Sequence, residues 1–548
     1  MLNSSFRPFA LLSLAAIAAP AAALAAQPAK QAVASTTATV DGELEVRIED
    51  YRDGRSRERH FVKTPKGRYE LRFDKRPTDL PSGTKVRVHG RKAAGVMALD
   101  GAQVQQVSAA LSYAMGEQSV AVILVNFSDD ASQPITQNAA NTLVFDSLDG
   151  FYQENSFGQT WLNGQVFGYY TIAQSRTVCD PDTLAAQANA AAAAAGVDLS
   201  RFKRKVYLHP LVGACQWSGL GHVGGATTNA WANGTFDKLV IGHELGHNLG
   251  LKHAHAKNCD VAPLGNTCTN LDYGDAADLM GNIRPAHFNA FQKERLGWLN
   301  DGVSPPMHNV TASGRFTIQP YSSTSVGPKA IKIPKGLDQF GWPSYYYVEY
   351  RQRVGADSVL DMGNMAQGVV VRMATPQDSN SSFQLDMTPA SSTNTNIELA
   401  DGALAVGRTY TDAANGVSIT LVSADANGAI VDVTVGTQTT PPPTPPPSGT
   451  LTETIGLDKA SYLRGETVSM SALVKQDGVA LKGASVTFTV TLPNAAKTTM
   501  AATTGTDGFA RAAYKTAKGK GAVGGYGVRA DATNSGATAT ANTTFSVK

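Results

Sequence analysis

The stretch Ile241-Gly242-His243-Glu244-Leu245-Gly246-His247-Asn248-Leu249-Gly250-Leu251-Lys252-His253 constrains this chain more than any other. Histidines four residues apart leave one face of a helix a turn apart, which suits two nitrogen ligands of one Zn²⁺. Glu244 directly follows the first of them, the place of a general base beside such a metal. Gly250 can take a positive φ, so the chain can leave the helix there and swing His253 back as a third ligand. Three protein ligands leave a fourth position for water, which marks a catalytic rather than a structural zinc site. His255 lies two residues further on and does not fit the spacing. His209, His222, His287 and His308 read as structural, surface or substrate-facing side chains.

At roughly 100–200 residues per domain, a chain of 548 residues needs several domains. Met1 to Pro8 carries one positive charge, Arg7; Phe9 to Ala19 is apolar; Ala23-Leu24-Ala25 fits a small-x-small cleavage site. Residues 1–25 therefore read as a secretory signal peptide, since the apolar run is too short, and too broken at Pro20, to span a membrane. Residues 26–112 alternate in short segments (Leu44–Ile48, Tyr69–Phe73, Lys85–Val88) and predict a small β-barrel or sandwich. Between 113 and 300, Val120–Val125 predicts a strand buried on both faces and Lys205–Val212 another. Thr136–Glu154 and Asp182–Ala195 predict helices, and the mixture an α/β or α+β domain. Residues 301–436 return to strands at Tyr345–Tyr350, Val369–Met373, Val417–Val422 and Ile430–Val435, a β-rich domain packed on the one before. The Pro/Thr-rich 437–450 reads as an extended linker. Residues 451–548 fit an immunoglobulin-like β-sandwich without its disulfide.

Four cysteines, Cys179, Cys215, Cys259 and Cys268, suggest two disulfides in an exported chain. Three pairings can be drawn, and sequential proximity favours Cys179–Cys215 with Cys259–Cys268. Lys+Arg 47 against Asp+Glu 45 gives a formal charge of +2, so no net attraction for nucleic acid is expected. No membrane span is expected beyond the leader, and the mature protein reads as a monomer.

The zinc stretch resembles the extended motif of the metzincin metallopeptidases at every fixed position. Asp278-Leu279-Met280-Gly281 is similar to the methionine turn that such enzymes place under the metal, which would make Met280 a soft apolar floor and not a ligand. More narrowly, the run from His247 to Ala254, then Tyr273-Gly274-Asp275 and Leu296-Gly297-Trp298, resembles the gametolysin-type peptidases, over about residues 113–436. The resemblance implies a multidomain chain whose α+β zincin/metzincin catalytic domain, with one catalytic Zn²⁺, is flanked by all-β domains. It also implies that the strand before the active-site helix pairs with the substrate backbone, which nominates Gly219–Gly225 and within it Gly219, Gly221, His222 and Gly224. Many metzincins are kept latent by a propeptide cysteine on the zinc, yet no cysteine precedes Cys179 here. If residues 26–112 are an inhibitory prosegment, they must block the cleft with another ligand or by steric cover. The C-terminal segment resembles bacterial immunoglobulin-like domains, which carry no fixed function.

The expected function is that of a secreted zinc endopeptidase cutting extracellular proteins. Zinc would bring the pKa of its water towards about 7, and Glu244 would take the proton and later deliver it to the departing amine. The competing class is a non-catalytic zinc-containing adhesin that binds a cell wall or polymer surface through its C-terminal module. Glu244 argues for the enzyme, because a structural zinc site needs no base. A Ca²⁺ ion is compatible with this class, but no motif shows one.

Overall fold

A computed structural model describes residues 36–436 and 451–548, apart from scattered single positions and pairs and the stretches 100–103, 109–113 and 392–397. The expected signal peptide at 1–25 and the Thr439–Gly449 linker lie outside the described residues. Strands dominate the chain and assemble into several sheets.

Period-2 alternation builds the N-terminal unit. Its strands are β1 (Thr36–Tyr51), β2 (Ser56–Thr64), β3 (Gly67–Phe73), β4 (Lys85–Ala93), β5 (Val96–Leu99) and β6 (Val104–Ser108). The first half of β1 pairs with β4 and the second half with β2. β2 pairs with β3, β3 runs parallel to β5, and β5 returns to β4, so five strands close into a barrel. β6 takes the remaining part of the β4 edge. Leu44, Val46 and Ile48 of β1, with Val62, Leu71, Val88 and Met97, fill the barrel.

A mixed sheet follows: β7 (Gly116–Phe127), β8 (Thr160–Ile172), β9 (Arg204–His209), β10 (Trp217–His222) and β11 (Thr228–Asn233), in the order β8-β7-β9-β11-β10. All neighbours are parallel except β10, which runs antiparallel to β11. β7 is buried on both faces, as its apolar run predicts. Val120, Val122 and Leu124 face one core, while Ala121, Ile123 and Val125 face the other. The helical passage before β8 comprises α1 (Gln137–Asn141), a π-wound stretch Thr142–Leu148 and α2 (Asp149–Asn155). It packs on the first face together with α4 (Lys238–Asn248). α3 (Pro181–Ala194) covers the second face with Leu184, Ala185 and Ala188.

The outer edge of β10 is not free. β1 pairs with it antiparallel, from Arg47 opposite His222 to Tyr51 opposite Trp217, with a bulge between Asp50 and Tyr51. Barrel and mixed sheet are thereby one eleven-stranded sheet, where the sequence suggests two separate units.

Beyond α5 (Ala290–Leu296), an eight-stranded sheet and a four-stranded sheet enclose one apolar cluster that includes Ile333, Val348, Val371, Ile419 and Val431. Two strands of the larger sheet, His255–Asn258 and Thr269–Leu271, come from before residue 300, so the regions on either side of that point interlock. Residues 451–548 form two sheets, of four and five strands, around Val468, Phe488, Tyr526 and Phe545. Disulfides join Cys179 to Cys215 and Cys259 to Cys268. Among the described residues no helix is long and apolar enough to cross a membrane.

Candidate metal centre

α4 starts where Asp237 caps it, its carboxylate accepting from the Val240 N–H at 2.8 Å. From Val240 to Asn248 the helix is buried throughout. It ends as the sequence predicts: Gly250 adopts φ +102°, and Leu251 N–H donates back to Gly246 O at 3.1 Å. That turn brings His253 back beside His243 and His247, with ring centroids 4.7–5.3 Å apart. Asn248 Nδ2 donates to His222 O and Asn229 O, both at 3.1 Å, which fastens the helix end to β10 and β11.

A fourth side chain, which no motif or spacing singles out, joins the three imidazoles. Asp50 of β1 continues the inward face of Leu44, Val46 and Ile48 and emerges from the barrel at the histidines. Its Oδ2 lies 3.5 Å from His243 Nε2 and 3.3 Å from His247 Nε2; its Oδ1 lies 2.9 Å from His253 Nε2. The ligand atoms of Asp50, His243, His247 and His253 all fall within 4.8 Å of one another, and all four residues are buried. Among the described residues no other group of His, Cys, Asp or Glu converges in this way, so a Ca²⁺ site gains no support. His255 stays outside the group, with Nδ1 2.9 Å from Asp272.

The far side of each ring is held. His243 Nδ1 sits 3.1 Å from Leu279 O and His247 Nδ1 2.8 Å from Leu251 O, so each Nδ1–H donates to a carbonyl and leaves Nε2 as an acceptor. His253 Nδ1 faces Asp272 at 3.5 Å, and the Tyr273 ring lies 4.2 Å from the His253 ring. The Tyr273 hydroxyl donates to Asp50 Oδ1. The Nε2 atoms of all three histidines are buried without a hydrogen-bond partner, and so is Asp50 Oδ2. Buried acceptors left bare are costly unless a cation takes them. Three imidazoles, each neutral once a metal displaces any proton on Nε2, with a carboxylate are a donor set that fits Zn²⁺.

Glu244 lies under β10, and two of the nominated glycines make the room. A Cβ on Gly219 would overlap Glu244 Oε1; one on Gly221 would stand 2.8 Å from Glu244 Oε2 and 2.9 Å from the His247 Cβ. Oε2 of Glu244 is buried and unpartnered. His222 closes the strand, buried with its ring 5.5 Å from that of Trp231, so it faces the core and not the metal. Gly224 lies beyond the strand in a turn with φ +66°, its N–H donating to His247 O at 2.8 Å. Met280 is buried in a short turn below α4, its sulfur so close to Gly246 that a Cβ there would stand 2.6 Å away. Asp278 shapes that turn by accepting from the N–H groups of Met280 and Asn289, each at 2.7 Å.

Burial pulls His243 down to about 3 despite the neighbouring Asp50. For His253 burial also pulls downward, but Asp50 and Asp272 outweigh it and lift the ring to about 9. Burial alone would raise Asp50, yet the three histidines hold it well below the usual carboxylate range. Glu244 goes the other way, raised well above its ordinary value by burial and then by the Asp50 charge. Two adjacent carboxylates with opposite shifts are the pattern of a site that assigns them different tasks.

No curated protein matches the chain. Among solved structures, the sporulation control protein Spo0M from Bacillus subtilis is 14% identical, over 18% of this chain and 50% of its own, at a TM-score of 0.12. The chain thus spans half the length of that protein. The CARDB domain of a Pyrococcus furiosus protein in complex with di-metal ions is 14% identical, over 18% of this chain and 89% of its own, at a TM-score of 0.13. A tetra-tandem repeat in the extending region of a large adhesion protein is 15% identical, over 43% of this chain and 57% of its own, at a TM-score of 0.16. At these scores the likenesses are too slight to bear on fold or activity. The family comparison is of a different kind, because residues 120–362 match gametolysin peptidase M11 and enclose His243, Glu244, His247, His253 and Met280. Over residues 120–362 the chain is similar to the gametolysin peptidase M11 family, a match that supports a gametolysin-type metallopeptidase.

Proposed function

We propose that the protein is a secreted zinc endopeptidase that hydrolyses peptide bonds of extracellular proteins. The observation that carries this reading is the convergence of three bare, buried imidazole nitrogens beside an unpartnered carboxylate oxygen of Glu244, under a strand edge. His243, His247 and His253 would hold the zinc, and Met280 would floor it. When bound, Zn²⁺ supplies a Lewis acid that polarises the scissile carbonyl and acidifies the attacking water. Glu244, dry beneath β10, takes a proton from the attacking water and passes it to the departing amine. The edge of β10 orients the substrate by backbone pairing. The strand order β8-β7-β9-β11-β10, with α4 below it, supports a metzincin-type α+β architecture. Export is supported by the apolar leader in the sequence and by the two disulfides, which form in oxidising compartments. The 451–548 module, read as immunoglobulin-like, would retain the enzyme on a cell wall or polymer.

One observation favours a second reading. Asp50 brings the protein ligands to four, the number of a closed structural zinc site, as in a non-catalytic adhesin. The two readings part when residues before 114 are removed by limited proteolysis, verified by mass, and the product is offered unfolded protein with and without chelator. The enzyme should carry one zinc and cut in a chelator-sensitive way. Glu244→Gln should stay zinc-loaded but turn over about 10²–10⁴-fold more slowly, the usual contribution of general acid–base catalysis. Equal rates for the two proteins would remove the peptidase reading.

A further inference from the structure

We infer that the N-terminal barrel is a latency device, with Asp50 as its metal ligand and β1 as the strand that occupies the substrate's place; this rests on the peptidase reading above. Three independent observations meet here. The first is chemical: Asp50 offers a carboxylate oxygen to the same point as the three imidazole nitrogens, the position a catalytic centre must leave open. The second is topological. β1 uses the pairing edge of β10 from Trp217 to His222, and the Ser218 hydroxyl donates to Asp50 O at 3.0 Å, so a peptide can reach that edge only by displacing β1.

The third concerns how the barrel is attached. Its apolar core is its own, with Val223 the one residue from outside among its buried members. Tyr51 packs on a core of the body, but many of the barrel's other side-chain links to the rest of the molecule are charged and polar. Arg68 pairs with Asp182 at 2.7 Å, Glu58 with Lys252 at 2.8 Å and Arg76 with Asp378 at 2.6 Å. Asp79 accepts from Ser379 N–H at 3.0 Å. A unit with a self-contained core and a polar seam resembles a separable domain more than a fixed part of one core. The absence of any cysteine before Cys179 is then no gap in the design, because a carboxylate takes the thiolate's part.

A tethered strand acts at an effective concentration of order millimolar, so an intrinsic affinity of only ~10 μM would leave about one cleft in 100 open. The test uses the full chain, proved intact by mass, loaded with Co²⁺ and titrated with a dipeptide hydroxamate while its visible spectrum is followed; peptide cleavage by the zinc form is measured in parallel. In the wild type the spectrum should not respond at concentrations that shift it fully in Asp50→Ala, and cleavage should be about 100-fold slower than in that variant. Should Asp50→Ala fail to fold, Arg76→Ala/Asp79→Ala loosens the same seam without touching the metal centre and should show the same two changes in smaller degree. Hydroxamate uptake by the intact wild type equal to that of both variants, or equal cleavage rates, overturns the inference. If the variants admit hydroxamate yet cleave nothing, latency stands and the peptidase reading falls.

Discussion

Gly219 shows how narrow the tolerance is at a single residue. It sits in extended backbone, so alanine there strains no dihedral, but the added methyl would overlap Glu244 Oε1. On the zinc-peptidase reading proposed above, Gly219→Ala is expected to keep its zinc and lose about 10²-fold in kcat/KM once the barrel is removed, the cost of misplacing a reacting group by about 1 Å. An unchanged kcat/KM at full zinc content would mean that Glu244 does not work from this position. The residues of the centre differ sharply in how legible they are. His243, Glu244, His247 and His253 lie within eleven residues, and one helix and one glycine turn fix their geometry, so spacing alone nominates them. Asp50 stands in a segment where Glu45, Glu49 and Asp53 are equally acidic, and only the register of β1 on β10 selects it. The clearance role of Gly219 and Gly221 was equally hidden, since it depends on what lies beneath the strand.

Among elements, those with a strong local signal were readable: the helical passage from 137 to 155, β7 from its unbroken apolar run, and the strands near 345, 370, 418 and 430. What could not be read is which distant elements meet. The short strands at 255–258 and 269–271 carry no alternation of their own, and join the larger sheet only because His255–Lys257 runs parallel to Phe383–Leu385. That junction holds the floor of the metal centre through buried charge. Arg372 reaches Asp275, just before the Met280 turn, at 2.5 and 2.9 Å and Glu349 at 2.6 Å; Glu349 also accepts from Ala290 N–H at the start of α5. All three charged groups are fully buried. Removing the guanidinium strands the buried Asp275 and leaves Glu349 to Arg351 alone, at 2.7 Å, so Arg372→Ala should lower stability by about 3–5 kcal/mol. Chemical denaturation measures it, and a loss below about 1 kcal/mol would show the two acids finding other partners or protons at little cost.

Across the whole molecule, the seam between barrel and body should respond to acid. Arg47 and Arg68, beside Glu45, outweigh burial and lower Asp182 from 3.8 to about 2. Lys252 and His60 likewise outweigh burial and lower Glu58 from 4.5 to about 2. Both folded values lie below the free ones, so the docking these pairs provide is complete above about pH 4.5 and is lost as pH falls towards 2. Small-angle scattering of the intact chain should show expansion over that interval; constant dimensions down to pH 2.5 would show that the ion pairs do not hold the seam. At the other end of the chain, a protein ending at Gly436 should cleave short peptides at the rate of its longer counterpart. It should lose rate only on insoluble substrate, where tethering raises local concentration. A folded, zinc-loaded short form that is dead on peptides would show that the 451–548 module helps to build the centre.

The single sheet that runs through barrel and body has one more consequence. Once β1 leaves, β10 is a naked rim, and naked rims recruit any extended chain, including unfolded neighbours and further copies of the same protein. Its sequence, Trp217-Ser218-Gly219-Leu220-Gly221-His222, has no β-branched residue and two glycines, a poor template for fibre growth. The strand that would keep the protein silent is thus also its solubility guard while it is still crowded at its source, and the glycine-poor alternatives at this rim would trade one hazard for another.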